Sequence, residues 1–385
     1  MKKNNKKNIF GTTEVIFLVV ITCILSFTMA SLICTKKEKK NNILVSEASK
    51  DDALNNFIEH YNNILNNYYQ DIDKEELIDN AIKGMIEGLD DPYATYFDEA
   101  QAKNFNIKLN GQFEGIGVEV IKLENGNIFV VNTFEGAPAD VAGIEIGDEI
   151  YSLNGASVAE ISTAEFSNIV MSNKENTVLV KRNEEELTFK LSKGNVVIKS
   201  ATSQMLTDKI GYIKVDLFAL NTYGQVKECL DNLRKNGMES LVIDLRDNSG
   251  GHLSSAADIL SLFLSDKRVM YQTKSGGQIE KFYSEGTEDF KGRIVILVNS
   301  NSASASEVVT ASLQENLEAT VLGKTTFGKG TAQSLITLSS GEQYKFTVKE
   351  WLTANGKTIN GVGIKPDVEE ANEAIYIDKA IELLK

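Results

Sequence analysis

From position 51 to 88 the apolar residues recur at helical spacing, among them Leu54, Phe57, Ile58, Tyr61, Ile64 and Leu65, then Leu77, Ile78, Ile82 and Ile86. A stripe of that period predicts two or three amphipathic helices. Asp90-Asp91-Pro92-Tyr93 ends them, because the residue before a proline is pushed out of the helical region. From about 111 to 191 the texture changes to short β-rich runs, 116–122, 128–133 and 178–181, punctuated by Gly126 and other glycines, which fits a small β domain. Farther on, 210–215, 241–245 and 294–298 read as buried strands, whereas 225–235 and 255–264 read as helices. Strands alternating with helices predict an α/β domain, and a last helix is expected around 371–384.

The amino-terminal pattern is of another kind. Lys2, Lys3, Lys6 and Lys7 lead into an uncharged run from 15 to 34, closed by Lys36, Lys37, Lys39 and Lys40. About twenty such residues are enough to span a bilayer core. The run is longer than the apolar core of a cleaved secretory signal, and Thr28-Met29-Ala30 is a weak cleavage site, so an uncleaved anchor is the expectation. Lysines on both flanks leave the orientation unspecified.

Composition narrows the partners. Of 385 residues 42% are apolar and 24% charged, as in an ordinary folded, core-bearing protein. The formal charge is -14; eight lysines against Glu14 and Glu38 give the first 46 residues +6, so the remainder holds -20. An acidic body argues against nucleic acid. Cys23 and Cys34 fall in the apolar run, which leaves Cys229 alone in the body, without an internal disulfide and without zinc-type spacing.

Candidate chemistry concentrates near the end of the chain, in Asn301-Ser302-Ala303-Ser304-Ala305-Ser306-Glu307 and in Thr326-Phe327-Gly328-Lys329-Gly330-Thr331-Ala332-Gln333. A serine hydroxyl needs a neighbouring base, and a lysine is one only when burial keeps it neutral. Its pKa must then fall from about 10.4 toward about 7. The flanks of Lys329 carry no acid, which fits. Other readings stand beside this one. Ser304-Ala305-Ser306-Glu307 before an apolar run is also a helix capping box. Gly323 to Lys329 has most of a phosphate-loop pattern, but Gly330 replaces Ser/Thr and 332–336 reads as a strand where that loop must open a helix. A Ser304/His252 pair oriented by Asp244 or Asp247 is a further competitor.

The ordered motifs Leu89-Asp90-Asp91-Pro92-Tyr93, Gly111-Gln112-Phe113-Glu114-Gly115-Ile116-Gly117, 138–155, 244–251, 302–307, 327–333 and Gly363-Ile364-Lys365-Pro366-Asp367 resemble the C-terminal processing (tail-specific) serine proteases, which carry a PDZ domain ahead of a Ser/Lys catalytic domain. The resemblance runs from about 78 to 368. It implies that Ser304 is the nucleophile and Lys329, at the family's spacing, its base. Gln333 would position the lysine, with a polar strand residue as the alternative, and the N–H groups of Ala305 and Gly250 would hold the oxyanion. Ser249 stands where the family often has proline.

For Phe113, Glu114, Gly115, Ile116, Gly117 and Val118 the resemblance implies a loop and strand that hold a protein's terminal carboxylate, with an apolar pocket for a hydrophobic last residue. The implied partners are proteins or peptides with accessible tails; no cofactor and no metal is implied. The implied fold is α/β, a multidomain chain. Residues 1–46 form a cytoplasmic tail, membrane-spanning helix and linker, 47–105 a helical segment, 106–195 a PDZ-like β-rich domain and 196–385 an α/β protease domain with a C-terminal helix. The body would lie outside the cytoplasmic membrane, as a single-pass membrane protein. Self-association through the amphipathic helices is as compatible as their packing on their own domain. The alternative function is a catalytically silent PDZ scaffold that binds protein tails at the membrane, and in a third reading the PDZ blocks the enzyme until it is displaced.

Overall fold

A computed structural model describes residues 51–385, so the expected anchor at 15–34 lies outside the described residues. Among the described residues no helix is long and apolar enough to cross a membrane. Two compact units are present, one ending at Ile82 and the other running from Lys83 to Lys385. In the first, Asp51 caps the helix Asp52–Asn67 by accepting the N–H groups of Ala53 and Leu54 at 2.9 and 3.3 Å. No residue of that helix is buried, and Leu54, Phe57, Ile58 and Ile64 are exposed along it. A second helix, Lys74–Glu87, crosses the unit boundary, so two helices account for the stripe from 51 to 88.

After that helix the larger unit continues with a short strand, Thr95–Phe97, and the helix Glu99–Asn110, a helix that the periodicity did not predict. Asp98 and Gln101 form its capping box, and Gly111 closes it at φ 71°. The chain then makes a β-rich excursion. Its sheet is antiparallel, with strand order Val118–Lys122, Ile128–Thr133, Glu149–Leu153, Glu175–Arg182 and Glu185–Ser192. Ile128, Val130, Ile150, Leu153, Phe166, Val178 and Val180 form its core beneath the helix Thr163–Ser172. Gln112–Gly115 pairs with Gly194–Val197, so the way in and the way out run side by side.

The remainder is an α/β layer. Ala201–Met205 pairs antiparallel with Ile210–Val215, and from there Ser240–Asp244, Ile294–Val298, Thr320–Gly323 and Val368–Glu369 continue in parallel. Every residue of Ile294–Val298 is buried, as a strand covered on both faces requires. Thr222–Lys235, Leu253–Leu260 and Ala305–Leu317 contribute Leu230, Ile259 and Val308 to the main core, while Tyr376–Leu384 covers Val242, Val295 and Leu297 from the other side. A second sheet joins Thr95–Phe97, Gln343–Leu352, Val269–Ser275 and Gln278–Tyr283, with Thr331–Thr337 paired to Gln343–Leu352.

Candidate active site

Three neighbouring parallel strands, Ser240–Asp244, Ile294–Val298 and Thr320–Gly323, release their loops at one edge of the sheet. In sheets of this kind ligand sites form outside the carboxyl ends of the strands. The first loop carries Gly250, the second Ser304 and the third Lys329.

Side chains lace the first two loops together. Asn299 and Asn301 donate from their side-chain amides to Asp247 Oδ1 at 2.9 and 2.8 Å, and Ala303 N–H reaches Asn248 O at 3.1 Å. Those amides hold the Asp247 carboxyl below its usual range. The three serines of the cluster separate by role. Ser302 Oγ donates to Leu245 O at 2.7 Å and Ser306 Oγ to Asn248 O at 2.8 Å, and both residues are fully buried. Ser304 is only partly buried, and no side-chain capping bond occupies its hydroxyl. Its backbone sits at φ 54°, ψ -114°, outside the regions a non-glycine residue ordinarily adopts. Capping is carried by the other half of the box, in which Ser304 N–H donates to Glu307 Oε2 at 2.8 Å.

Ala305 opens the helix Ala305–Leu317, a position whose N–H has no intrahelical acceptor. Gly250 lies against it: at φ 106°, a Cβ there would stand 2.9 Å from Ser304 Cβ and from Ala303 O, and 3.1 Å from Ala305 N. Only glycine allows this approach. The Gly250 N–H, expected as an oxyanion donor, is instead donated to Asn248 Oδ1 at 2.9 Å, because asparagine closes a turn onto the backbone two residues on.

Lys329 is fixed by its backbone at both ends. Its N–H donates to Glu307 Oε2 at 2.9 Å, and its carbonyl accepts from the Nε1–H of buried Trp351 at 2.8 Å. Glu307 Oε2 therefore meets the backbone N–H of both Ser304 and Lys329, and the two nitrogens lie within about 6 Å of each other. The lysine amine stands 4.8 Å from the centre of the Tyr93 ring and makes no hydrogen bond to Ser304. Burial, and then the charge of Lys345, push its pKa down to about 8 against the opposing pull of Asp91 and Glu307. The sequence offered burial alone as the cause and an acid-free neighbourhood; folding supplies a second lysine and two carboxylates from distant positions.

Gln333 also differs from expectation. Its amide NH2 donates to Thr331 Oγ1 at 3.0 Å and Thr347 Oγ1 at 3.3 Å, with no bond to the lysine, because Thr331–Thr337 pairs with Gln343–Leu352 and turns the amide to its strand neighbours. Thr347 donates onward to Asp91 from its N–H at 2.8 Å and its hydroxyl at 3.2 Å. Burial drives Asp91 upward, but these donors and the Tyr93 N–H outweigh it and bring the carboxyl below its ordinary value. Asp91 and Tyr93, read from sequence as a helix stop, thus border the lysine, and Glu307, read as a capping partner, ties it to the serine.

The competing readings find no geometry. Asp244 is held by Arg246 and by the Tyr212 hydroxyl, at 2.8 Å from the latter, Asp247 by its asparagines, and neither bonds His252, whose Nε2 is buried without a partner. The strand Thr331–Thr337 follows Lys329 where a phosphate loop would open a helix.

In the β-rich excursion, Phe113, Glu114 and Gly115 are strand residues paired with Gly194–Val197, a narrower loop than expected. Ile116 and Gly117 form the turn, their carbonyls accepting the N–H groups of Ala139 at 2.8 Å and Phe134 at 3.1 Å. Val118 begins the edge strand Val118–Lys122, whose outward backbone groups are left without a strand partner.

The description "Peptidase family S41" matches residues 209–370, "PDZ domain" matches 115–192, and "Activating protease CtpB N-terminal domain" matches 19–101. The carboxy-terminal processing protease CtpA of Bacillus subtilis is 34% identical over 361 residues, covering 92% of this chain and 77% of that protein. CtpB of the same organism is 32% identical, covering 84% and 69%. Among solved structures, a photosystem II D1 C-terminal processing protease superposes with a TM-score of 0.50 at 23% identity, over 86% of this chain and 91% of that one, which is a likeness of fold.

Proposed function

Because this chain belongs to peptidase family S41 and is a serine-type C-terminal processing peptidase with a PDZ domain, we propose that Ser304 is its nucleophile and Lys329 its base. The observation that carries this reading is the single buried oxygen, Glu307 Oε2, that receives the backbone N–H of both residues. The reading requires the lysine to rotate about its own side-chain torsions, carrying the amine from Tyr93 toward the hydroxyl.

In the reaction the neutral amine takes the Oγ proton as Oγ bonds to the peptide carbonyl carbon, and the carbonyl π pair moves to oxygen. Ala305 N–H, at the positive end of its helix, stabilises that oxyanion. Gly250 N–H joins it when the loop turns the group away from Asn248. Collapse breaks the C–N bond, and Lys329 returns the proton to the leaving amine. Water then attacks the Ser304 ester through the same base, releasing a carboxylate and restoring the hydroxyl. Gln333 acts through Thr347, which bridges it to the Asp91 carboxylate near the lysine.

The Ile116-Gly117 turn and the edge strand Val118–Lys122 receive the substrate's tail, the backbone N–H groups of the turn taking the terminal carboxylate. The run 15–34 anchors the chain in the cytoplasmic membrane with the body outside. Cleavage of labelled casein, an unstructured protein, tests the chemistry. Ser304→Ala and Lys329→Ala should each abolish it, whereas His252→Ala should retain most; an active lysine variant beside an inactive histidine variant would overturn the assignment.

A further inference from the structure

Glu307 is fully buried, and four donors converge on its two oxygens. Oε1 accepts the Thr326 hydroxyl at 2.6 Å and Gly328 N–H at 2.7 Å; Oε2 accepts Ser304 N–H at 2.8 Å and Lys329 N–H at 2.9 Å. One donor comes from the serine's own residue and three come from the segment 326–329 that delivers the lysine, so one side chain spans both loops. Such contacts to a charged acceptor are shorter and stronger than neutral ones.

The demand on either side is real. Ser304 holds a positive-φ backbone that a non-glycine residue avoids, and it persists only where surrounding contacts over-determine it. On the other side Gly328 stands at φ 86°, where a Cβ would meet Gly363 N at 2.9 Å, so the lysine segment lies close against 361–363. A helix cap alone requires only the bond to Ser304 N–H. The other three have no part in capping.

Resting on the Ser304/Lys329 reading, we propose that Glu307 is a positioning residue: its carboxylate sets the separation of nucleophile and base and holds Ser304 in its strained conformation. It also places a buried negative charge beside an amine that must lose its proton. The charged groups facing that amine are Lys345, Asp91 and Glu307, with the Tyr93 ring beneath it; the two carboxylates oppose deprotonation and the lysine favours it. Positioning and basicity therefore pull in opposite directions at this residue, which makes its role separable from simple support of the fold.

The test uses the full chain and labelled casein, with turnover expressed per folded molecule and melting measured in parallel. Glu307→Gln keeps the shape but turns an NH2 toward donors on one side. Its kcat should fall about 100-fold with KM changed less than about threefold, and the acid limb of kcat/KM should move to lower pH because a negative charge is gone. Glu307→Asp keeps the charge on a shorter arm: kcat falls while the acid limb stays at its wild-type position. Thr326→Val removes one of the four donors and should lower kcat about five- to tenfold, so the proposal can still be refuted if the glutamine variant does not fold. Wild-type kcat per folded molecule in Thr326→Val, or in a folded glutamine variant with an unmoved acid limb, would overturn it. Ser304→Ala and Lys329→Ala run alongside: if either is active, the dyad itself fails; if both are dead and the Glu307 variants are normal, the positioning role alone fails.

Discussion

At the scale of single residues, the working state of Lys329 is set by the balance between burial and nearby charge. With its pKa pushed down to about 8, the amine is mostly protonated at pH 7 and loses its proton as pH rises through 8, which its proposed role as base requires. The logarithm of kcat/KM should therefore climb with a slope near one below pH 8 and flatten above it, as read from a pH-rate profile. That limb reports the free enzyme, in which the amine lies over Tyr93 at 4.8 Å. An aromatic face favours the charged ammonium by about 0.5–2 kcal/mol, so Tyr93→Leu should lower the lysine pKa and shift the limb downward by about 0.4 to 1.5 units. An unmoved limb would mean that the ring does not meet the working amine. Ser304 shows what a residue pattern could and could not disclose. The motif alone leaves three serines; what separates them is that Ser302 and Ser306 spend their hydroxyls on Leu245 O and Asn248 O, a distinction made by contacts more than 50 residues apart in sequence.

At the scale of elements, the all-apolar run 294–298 and the run 210–215 read as buried strands, and both occur with those bounds. Every residue of 294–298 is buried, so no alternation blurs that run, whereas in 210–215 only Tyr212 and Lys214 are half-buried and the apolar residues around them carry the signal. The strand expected at 116–122 starts at Val118 because Ile116 and Gly117 are bonded into a turn, and period-two patterning does not register a turn. The wall of the lysine pocket was not legible for another reason: Asp91 meets Thr347 across 256 positions, and no local period encodes such a meeting. Where two elements touch, the prediction is steric. Gly250→Ala forces a Cβ to 2.9 Å from both Ser304 Cβ and Ala303 O at φ 106°, so the glycine loop must retreat from Ser304. The strain is about 1–3 kcal/mol, which the domain survives, while casein cleavage should fall at least about 100-fold; a melting curve and a rate at the same pH separate the two effects.

At the scale of the whole molecule, the larger unit places its β-rich excursion on a two-stranded ribbon, Gln112–Gly115 against Gly194–Val197. Entry and exit therefore share one pair of strands: the Ile116-Gly117 turn follows Gln112–Gly115 directly, and Gly194–Val197 leads on to Ala201–Met205 and the parallel sheet. The edge strand Val118–Lys122 is paired on one side only, by Ile128–Thr133, and offers the other side to an incoming chain. If the turn holds a tail by its terminal carboxylate, the loss should appear in binding and not in the chemical step, because that carboxylate makes and breaks no bond in the cleavage. A peptide pair differing only in a free or amidated terminus isolates that contact. Hydrogen bonds to a charged group contribute about 1.5–3 kcal/mol, so amidation should raise KM by about 10- to 100-fold with kcat nearly unchanged. Equal KM values would remove the carboxylate from recognition and leave only main-chain pairing along the edge strand. A fall in kcat at constant KM would instead mean that tail capture is transmitted to the Ser304 and Lys329 loops, making the ribbon a conduit for activation.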